Sequence, residues 1–236
     1  MKTLSKIIIL NCYKRKLEGQ IMQKLVETSV KGMGIEVEIS YDKGDLGIWG
    51  NFKQAVNIPS KPEKFRMIMH DDILITRASI KKAIKVLDNF PKNCFVSLYS
   101  PDNQGYRNAA KNGHRLLKTY SNWWSQTMCF SSELTKPMIK WIDQKIKPGY
   151  KWEDGRITLY THTKKVPIYS LIPSLVQHLG AYRSTFGIPG KIGKLKRYSS
   201  NYLASQDVDI DWEKEIKNAY RSDIPSNVAH PSRWLK

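Results

Sequence analysis

From Lys6, KIIILNCY is a short apolar run rich in β-branched residues, which predicts a buried strand. The polar segment KRKLEGQIMQKLVETSVKG follows. Its Leu17, Ile21, Leu25 and Val26 fall at helical spacing, and Gly32 and Gly34 stop the pattern. IEVEISY then alternates as a second strand, and the order strand, helix, strand predicts a parallel pair with a right-handed crossover. YDKGDLGIWGNFKQAV begins as a Gly- and Asp-rich loop, and FRMIM is a third strand running into HDDI. SIKKAIKVLDNF is a helix whose N-cap is Ser79 or Thr76. CFVSLYS and SQTMCFSS read as strands, and SSELTKPMIKWIDQKI as a helix opened by a loose capping box at Ser131 or Ser132. This alternation predicts one α/β domain over residues 1–187, followed by a basic C-terminal extension over 188–236.

Composition adds a core and a charge. With 41% hydrophobic and 25% charged residues, the chain is able to bury a core and is not of the disordered class. No run approaches the ~20 apolar residues of a spanning helix. The opening MKTLSKIIILNCYKRK lacks a signal-peptide cleavage pattern, so a cytoplasmic protein is expected. Cys12, Cys94 and Cys129 have no metal or redox spacing and read as buried thiols in a reducing compartment. The formal charge of +18, from 39 Lys and Arg against 21 Asp and Glu, implies a polyanionic partner. Nucleic acid and an anionic membrane both fit, and so does a generally basic surface. The charge is spread over Lys14, Arg15 and Lys16; Lys81, Lys82 and Lys85; Arg107, Lys111, Arg115 and Lys118; and Lys191, Lys194, Lys196 and Arg197. No helix-turn-helix or zinc-finger pattern occurs, so phosphate contacts would dominate recognition.

Candidate chemistry sits where strands end. In RMIMHDDILI an apolar strand terminates on His70, Asp71 and Asp72. Unpaired buried carboxylates are costly, and open α/β sheets bind ligands beyond the carboxyl ends of their strands. Two acids there suit Mg or Mn with its phosphates, although a solvated turn also favours Asp. Asn11, Tyr13 and Arg15 follow the first strand, where Arg15 can meet a phosphate and Tyr13 a base. Glu153 and Asp154 in WEDGR offer a general base, or simply acids at a helix N-terminus. His178 in PSLVQHLG is a cation ligand candidate or a core histidine.

Taken in order, IIILNCYKR, YDKGDLGIWGNFKQAV, FRMIMHDDILI, CFVSLYSP, WSQTMCFSSELTKPMIKWID, WEDGRITLY and IPSLVQHLGAYRSTFG resemble nucleotide-sugar-dependent glycosyltransferases of the GT-A fold. The resemblance spans positions 6 to 187, and the segment holding His178 and Ser184 is its most specific part. It implies a mixed, mostly parallel sheet flanked by helices, with a Rossmann-like half that binds the nucleotide. It further implies that Asp42 meets base or ribose, that Asp71 contacts sugar or ribose, and that Asp72 and His178 hold Mn or Mg. Asp154, with Glu153 as rival, would face the acceptor hydroxyl. His70 stands where such enzymes often carry a first Asp, a departure from the pattern. The implied activity is transfer from a nucleotide sugar, a UDP-sugar by family habit.

The charge adds DNA as the expected acceptor; the small size, missing membrane segment and basic surface resemble phage DNA-modifying transferases, and that resemblance implies 5-hydroxymethylcytosine as the base that receives the sugar. Such an enzyme would flip the base, with Trp123, Trp124 or Trp49 to stack on it or fill the gap. The alternatives are a glycan or lipid acceptor at a cell surface, and a non-catalytic nucleic-acid-binding protein on a degenerate transferase fold.

Overall fold

The computed structural model describes residues 3–61, 64–101, 104–121, 125–150, 152–178, 211–221 and 235–236. In chain order these form β1 (Leu4–Cys12), a 3-10 turn (Tyr13–Arg15), α1 (Lys16–Val30), β2 (Glu36–Asp42), α2 (Gly47–Asn57), β3 (Phe65–His70), β4 (Ile73–Leu74) and α3 (Arg77–Leu87). Then follow β5 (Phe95–Ser97), α4 (Gln104–Lys111), β6 (Leu116–Thr119), β7 (Thr127–Ser131), α5 (Ser132–Lys145), α6 (Glu153–Lys164), β8 (Ile168–Leu171), β9 (Gln177–His178), α7 (Trp212–Lys217) and β10 (Tyr220–Arg221).

Eight strands make one sheet in the order β10, β6, β8, β5, β7, β3, β1, β2, while β4 and β9 pair apart from it. β1 runs parallel to both β2 and β3, β5 parallel to β8, and β10 parallel to β6. β7 is antiparallel to β3 and β5, and β6 to β8. The architecture is therefore the expected α/β one, a mixed and mostly parallel sheet flanked by helices.

Both faces of the sheet are covered, which is why β1 and β3 carry the continuous apolar stretches Ile7–Leu10 and Met67–Met69. Ile7, Ile9, Met67 and Met69 pack on one side with Met22 and Val26 of α1 and Ile80, Ala83 and Leu87 of α3. Ile8, Leu10 and Ile68 pack on the other with Phe52 and Val56 of α2, Ile142 of α5 and Ile157 of α6. Arg66, 3% exposed on β3, donates to Val56 O at 2.6 Å and Ser60 Oγ at 2.7 Å, tying the end of α2 to the sheet.

Two local expectations change. Leu17 and Ile21 are 65% and 61% exposed, whereas Gly19, Met22, Val26, Ser29 and Val30 are the buried face of α1. The helix is rotated because Gly19 lies directly against Asn11 of β1: a Cβ there would stand 2.2 Å from Asn11 Nδ2. Ser131 is the N-cap of α5 but makes no side-chain cap bond, and Ser132 Oγ lies 2.5 Å from Ser60 Oγ instead, so the capping box does not form. At α3 the cap is Thr76, which accepts from Ser79 N at 3.1 Å.

The 187/188 boundary, Ser184 and the basic cluster from Lys191 to Arg197 lie outside the described residues. The described parts of the C-terminal extension join the same body. Tyr220 pairs with Leu117, Glu215 accepts from Arg115 N at 3.1 Å, and Lys236 N donates to Lys145 O at 2.7 Å. No helix among the described residues is long and apolar enough to cross a membrane.

Gly19→Ala gains up to ~1 kcal/mol of helix propensity, but the overlap with a buried, hydrogen-bonded asparagine costs about 1–3 kcal/mol. Net destabilisation is expected, read as a lower denaturation midpoint at unchanged slope.

Candidate active site

Because β1, β2 and β3 are parallel, their carboxyl ends meet: Cys12 is in register with Asp42, and Leu10 with His70. Between these ends and the start of α2 lies a cleft of about 170 Å³, lined among others by Tyr13, Arg15, Asp42, Asn51 and His70. Tyr13 is 53% exposed and rests on the loop after β2, its ring 3.3 Å from where a Cβ of Gly44 would stand. Gly44 has φ +107, a conformation side chains rarely adopt. Asp42 Oδ1 accepts from Gly44 N at 2.7 Å and Leu46 N at 3.2 Å, so this acid shapes the loop as well as facing the cleft.

Asp71 prolongs β3, its N–H donating to Leu10 O at 3.1 Å, and is 4% exposed. Its Oδ2 accepts from Asn11 Nδ2 at 2.8 Å and Cys12 N at 2.9 Å, and its Oδ1 lies 2.5 Å from Arg15 Nη2. Asn11 Nδ2 also donates to Arg15 O at 2.7 Å, closing the turn that carries the arginine. Burial raises the Asp71 pKa, and Arg15 and the Cys12 N–H oppose the rise.

Asp72 meets His178 through the β4–β9 ribbon, in which Ile73 pairs with His178 and Leu74 with Gln177. Ser174, fully buried, fixes the approach: its Oγ donates to Leu98 O at 3.1 Å and Val176 O at 2.6 Å. As a result His178 Nε2 sits 3.4 Å from Asp72 Oδ2, and Arg15 Nη1 lies 3.3 Å from the same oxygen. Burial works to raise the Asp72 pKa, but the His178 hydrogen bond and the charges of His70, His178 and Arg15 hold it well below the usual carboxylate range.

These residues fit a hard divalent cation. Asp72 Oδ1 is buried without a hydrogen-bond partner. The 3.4 Å between Oδ2 and Nε2 exceeds the ~2.7–2.9 Å of a charge-assisted bond. It matches the roughly 3–3.4 Å between two ligands each ~2.1–2.3 Å from one ion. Among the described residues no three His, Cys, Asp or Glu side chains form a metal-holding group. Phosphate oxygens and water would therefore complete the shell, a habit of Mg²⁺ sites.

Glu153 and Asp154 open α6, where the helix dipole favours acids. Arg156 anchors this end, donating from Nε to Tyr150 O at 2.9 Å and stacking over Trp49 at 5.0 Å. Glu153 is 1% exposed, with neither carboxylate oxygen hydrogen-bonded, and its Oε1 lies 3.5 Å from His70 Nε2. His70 thus links the cleft to α6. Burial opposes its charged form, yet Glu153, Asp72 and Asp71 raise its pKa to about 9. Asp154 is half-buried and accepts from Gly155 N at 2.7 Å. Burial, reinforced by the charge of Glu153, raises its pKa to about 6 against the Gly155 hydrogen bond.

The structure brings Asn11, Arg15, Asp71, Asp72 and His178 into one connected cluster, sets Tyr13 and Asp42 on the cleft wall, and joins Glu153 through His70. Of the proposed stacking residues, Trp49 is packed at 5.5 Å on Phe52 and under Arg156, so core packing explains it. Trp123 and Trp124 lie outside the described residues. Trp152, 46% exposed and directly before the acid pair, is an exposed aromatic that the sequence reading did not single out. Asn51 was also missed: it lines the cleft, donates to Asn11 O at 3.2 Å and accepts from Ser40 Oγ at 2.6 Å.

No protein-family model and no curated protein matches the chain. Among solved structures it is similar to Drosophila beta1,4-galactosyltransferase 7 in two forms. A mutant complexed with manganese, UDP-Gal and xylobiose gives 10% identity and TM-score 0.46, and a catalytic domain complexed with xylobiose gives 9% and 0.40. Both alignments cover 93% of this chain and 83% of the other. The inositol-1-phosphate CTP transferase of T. maritima gives 9% identity over 72% of this chain and 86% of its own, with TM-score 0.34.

A carboxyl whose pKa rises from 3.8 to about 6 on folding adds stability below pH ~4, and that stability is lost as pH rises through about 6. The difference in thermal midpoint between wild type and Asp154→Asn is therefore expected to move against wild type between pH 4 and 6, measured by thermal melts across that range.

Proposed function

We propose that the chain is a glycosyltransferase that moves a sugar from a nucleoside diphosphate donor, such as a UDP-sugar, to an acceptor hydroxyl. The observation that carries this reading is the meeting of Asp72 and His178, 3.4 Å apart, beside a cleft formed by three parallel strand ends. In this reading the nucleoside lies in the cleft, with Tyr13 against its base and Asp42 toward base or ribose. Asn11 holds Asp71 and the Arg15 turn in place, and Asp71 faces the ribose or sugar. Asp72 and His178 would hold Mn²⁺ or Mg²⁺, which when bound stabilises negative charge on the departing diphosphate.

Asp154 takes the proton of the acceptor hydroxyl. It is the more accessible acid of the pair, and a pKa of about 6 leaves it ionised and basic at neutral pH. Glu153, enclosed beside His70, keeps that imidazole turned toward α6. Trp152 offers an exposed ring next to Asp154 for the acceptor to lie on. The charge of +18 supports a polyanionic acceptor, and DNA bearing 5-hydroxymethylcytosine is the one proposed, in the manner of phage DNA-modifying enzymes.

The test follows nucleoside diphosphate release from a panel of nucleotide sugars with Mn²⁺, with and without hydroxymethylated DNA. Stimulation by that DNA is expected; stimulation by glycan or lipid alone rejects the acceptor, and no turnover with any acceptor rejects the transferase reading. Asp154→Asn is expected to lower turnover by ~10²–10⁴ with donor affinity near wild type, and to abolish the rising limb of the pH profile near 6.

A further inference from the structure

We propose that Arg15 competes with the divalent cation for Asp72, holding the acidic pair together in the cation's absence and yielding one carboxylate when it arrives. This rests on the cation site of the proposed function and adds to it a residue that sets the site's affinity.

The guanidinium is gripped unequally. Its Nη2 lies 2.5 Å from Asp71 Oδ1, but its Nη1 lies 3.3 Å from Asp72 Oδ2. The first distance is that of a tight charged pair and the second is well beyond one. Asp71 is also fixed by Asn11 and Cys12 N, so it is the permanent anchor. Asp72 Oδ2, by contrast, is shared at long range between Arg15 and His178, while Oδ1 is buried without a hydrogen-bond partner. A cation seated between Asp72 and His178 would take the same oxygen that Arg15 Nη1 approaches. The two positive groups then face each other across a few ångströms at a site where Arg15's side chain is only 11% exposed. Repulsion at that range is large even with considerable screening. The arginine can retreat while keeping Asp71, because a planar fork binds two carboxylates through separate edges. Arg15 also lines the donor cleft, so the edge released from Asp72 remains beside the place proposed for the diphosphate.

Mn²⁺ binding to the full chain, measured by titration calorimetry without donor or acceptor, tests the competition. Arg15→Gln is expected to bind Mn²⁺ about 3- to 30-fold more tightly than wild type. Arg15→Lys, whose ammonium cannot span both acids, is expected to fall between them and serves alone if the glutamine variant does not fold. Unchanged or weaker binding in the folded variants, with binding lost in Asp72→Asn, overturns the competition and leaves the cation site standing. Wild-type Mn²⁺ affinity in both Asp72→Asn and His178→Ala removes the cation site, and the competition with it.

Discussion

A carboxylate buried at the end of a strand must find partners, and much of this structure follows from how Asp71 finds them. Left unpaired, such a charge costs several kcal/mol, a large part of the 5–15 kcal/mol that typically separates folded from unfolded states. Asn11, the Cys12 N–H and Arg15 supply what it needs. Each partner brings a constraint of its own. Asn11 requires a residue without a side chain on the helix above it, which is Gly19. Arg15 requires a turn tight enough to bring its guanidinium back over the strand ends, which the 3-10 segment provides and Asn11 closes. The wall of the cleft is built from the same residues that satisfy the buried acid.

The site is also an acidic enclave in a basic protein. Asp71, Asp72, Glu153 and Asp154 gather around Arg15, His70 and His178, while the chain as a whole carries +18. The two signs serve different ranges. Diffuse positive charge attracts a polyanion from a distance and is screened by salt. Buried carboxylates act only at contact, where they can hold a cation. His70 couples the parts, since it lines the cleft on one side and meets Glu153 on the other.

Much of the fold was legible because buried strands carry apolar stretches, Ile7–Leu10 in β1 and Met67–Met69 in β3, and because Gly32 and Gly34, both at positive φ, mark where α1 ends. The face of α1 was not legible. Periodicity pointed to Leu17 and Ile21, but the rotation of the helix is set by close approach of Gly19 to Asn11, a contact between distant elements. Nor could two-residue strands such as β4 and β9 announce themselves, since they have no room for a pattern. That Asp72 and His178 belong together was available only from the ordered resemblance, and the route by which they meet is a tertiary pairing. The unequal hold of Arg15 on its two acids lies wholly in distances.

The β4–β9 ribbon joins two distant parts of the chain. One proposed ligand lies about a third of the way along the chain and the other three quarters of the way, and this short ribbon brings them together. A polypeptide that ends before residue 178 has the acidic pair but lacks His178. A site that needs both residues is therefore complete only once every strand of the eight-stranded sheet except β10 has been synthesised.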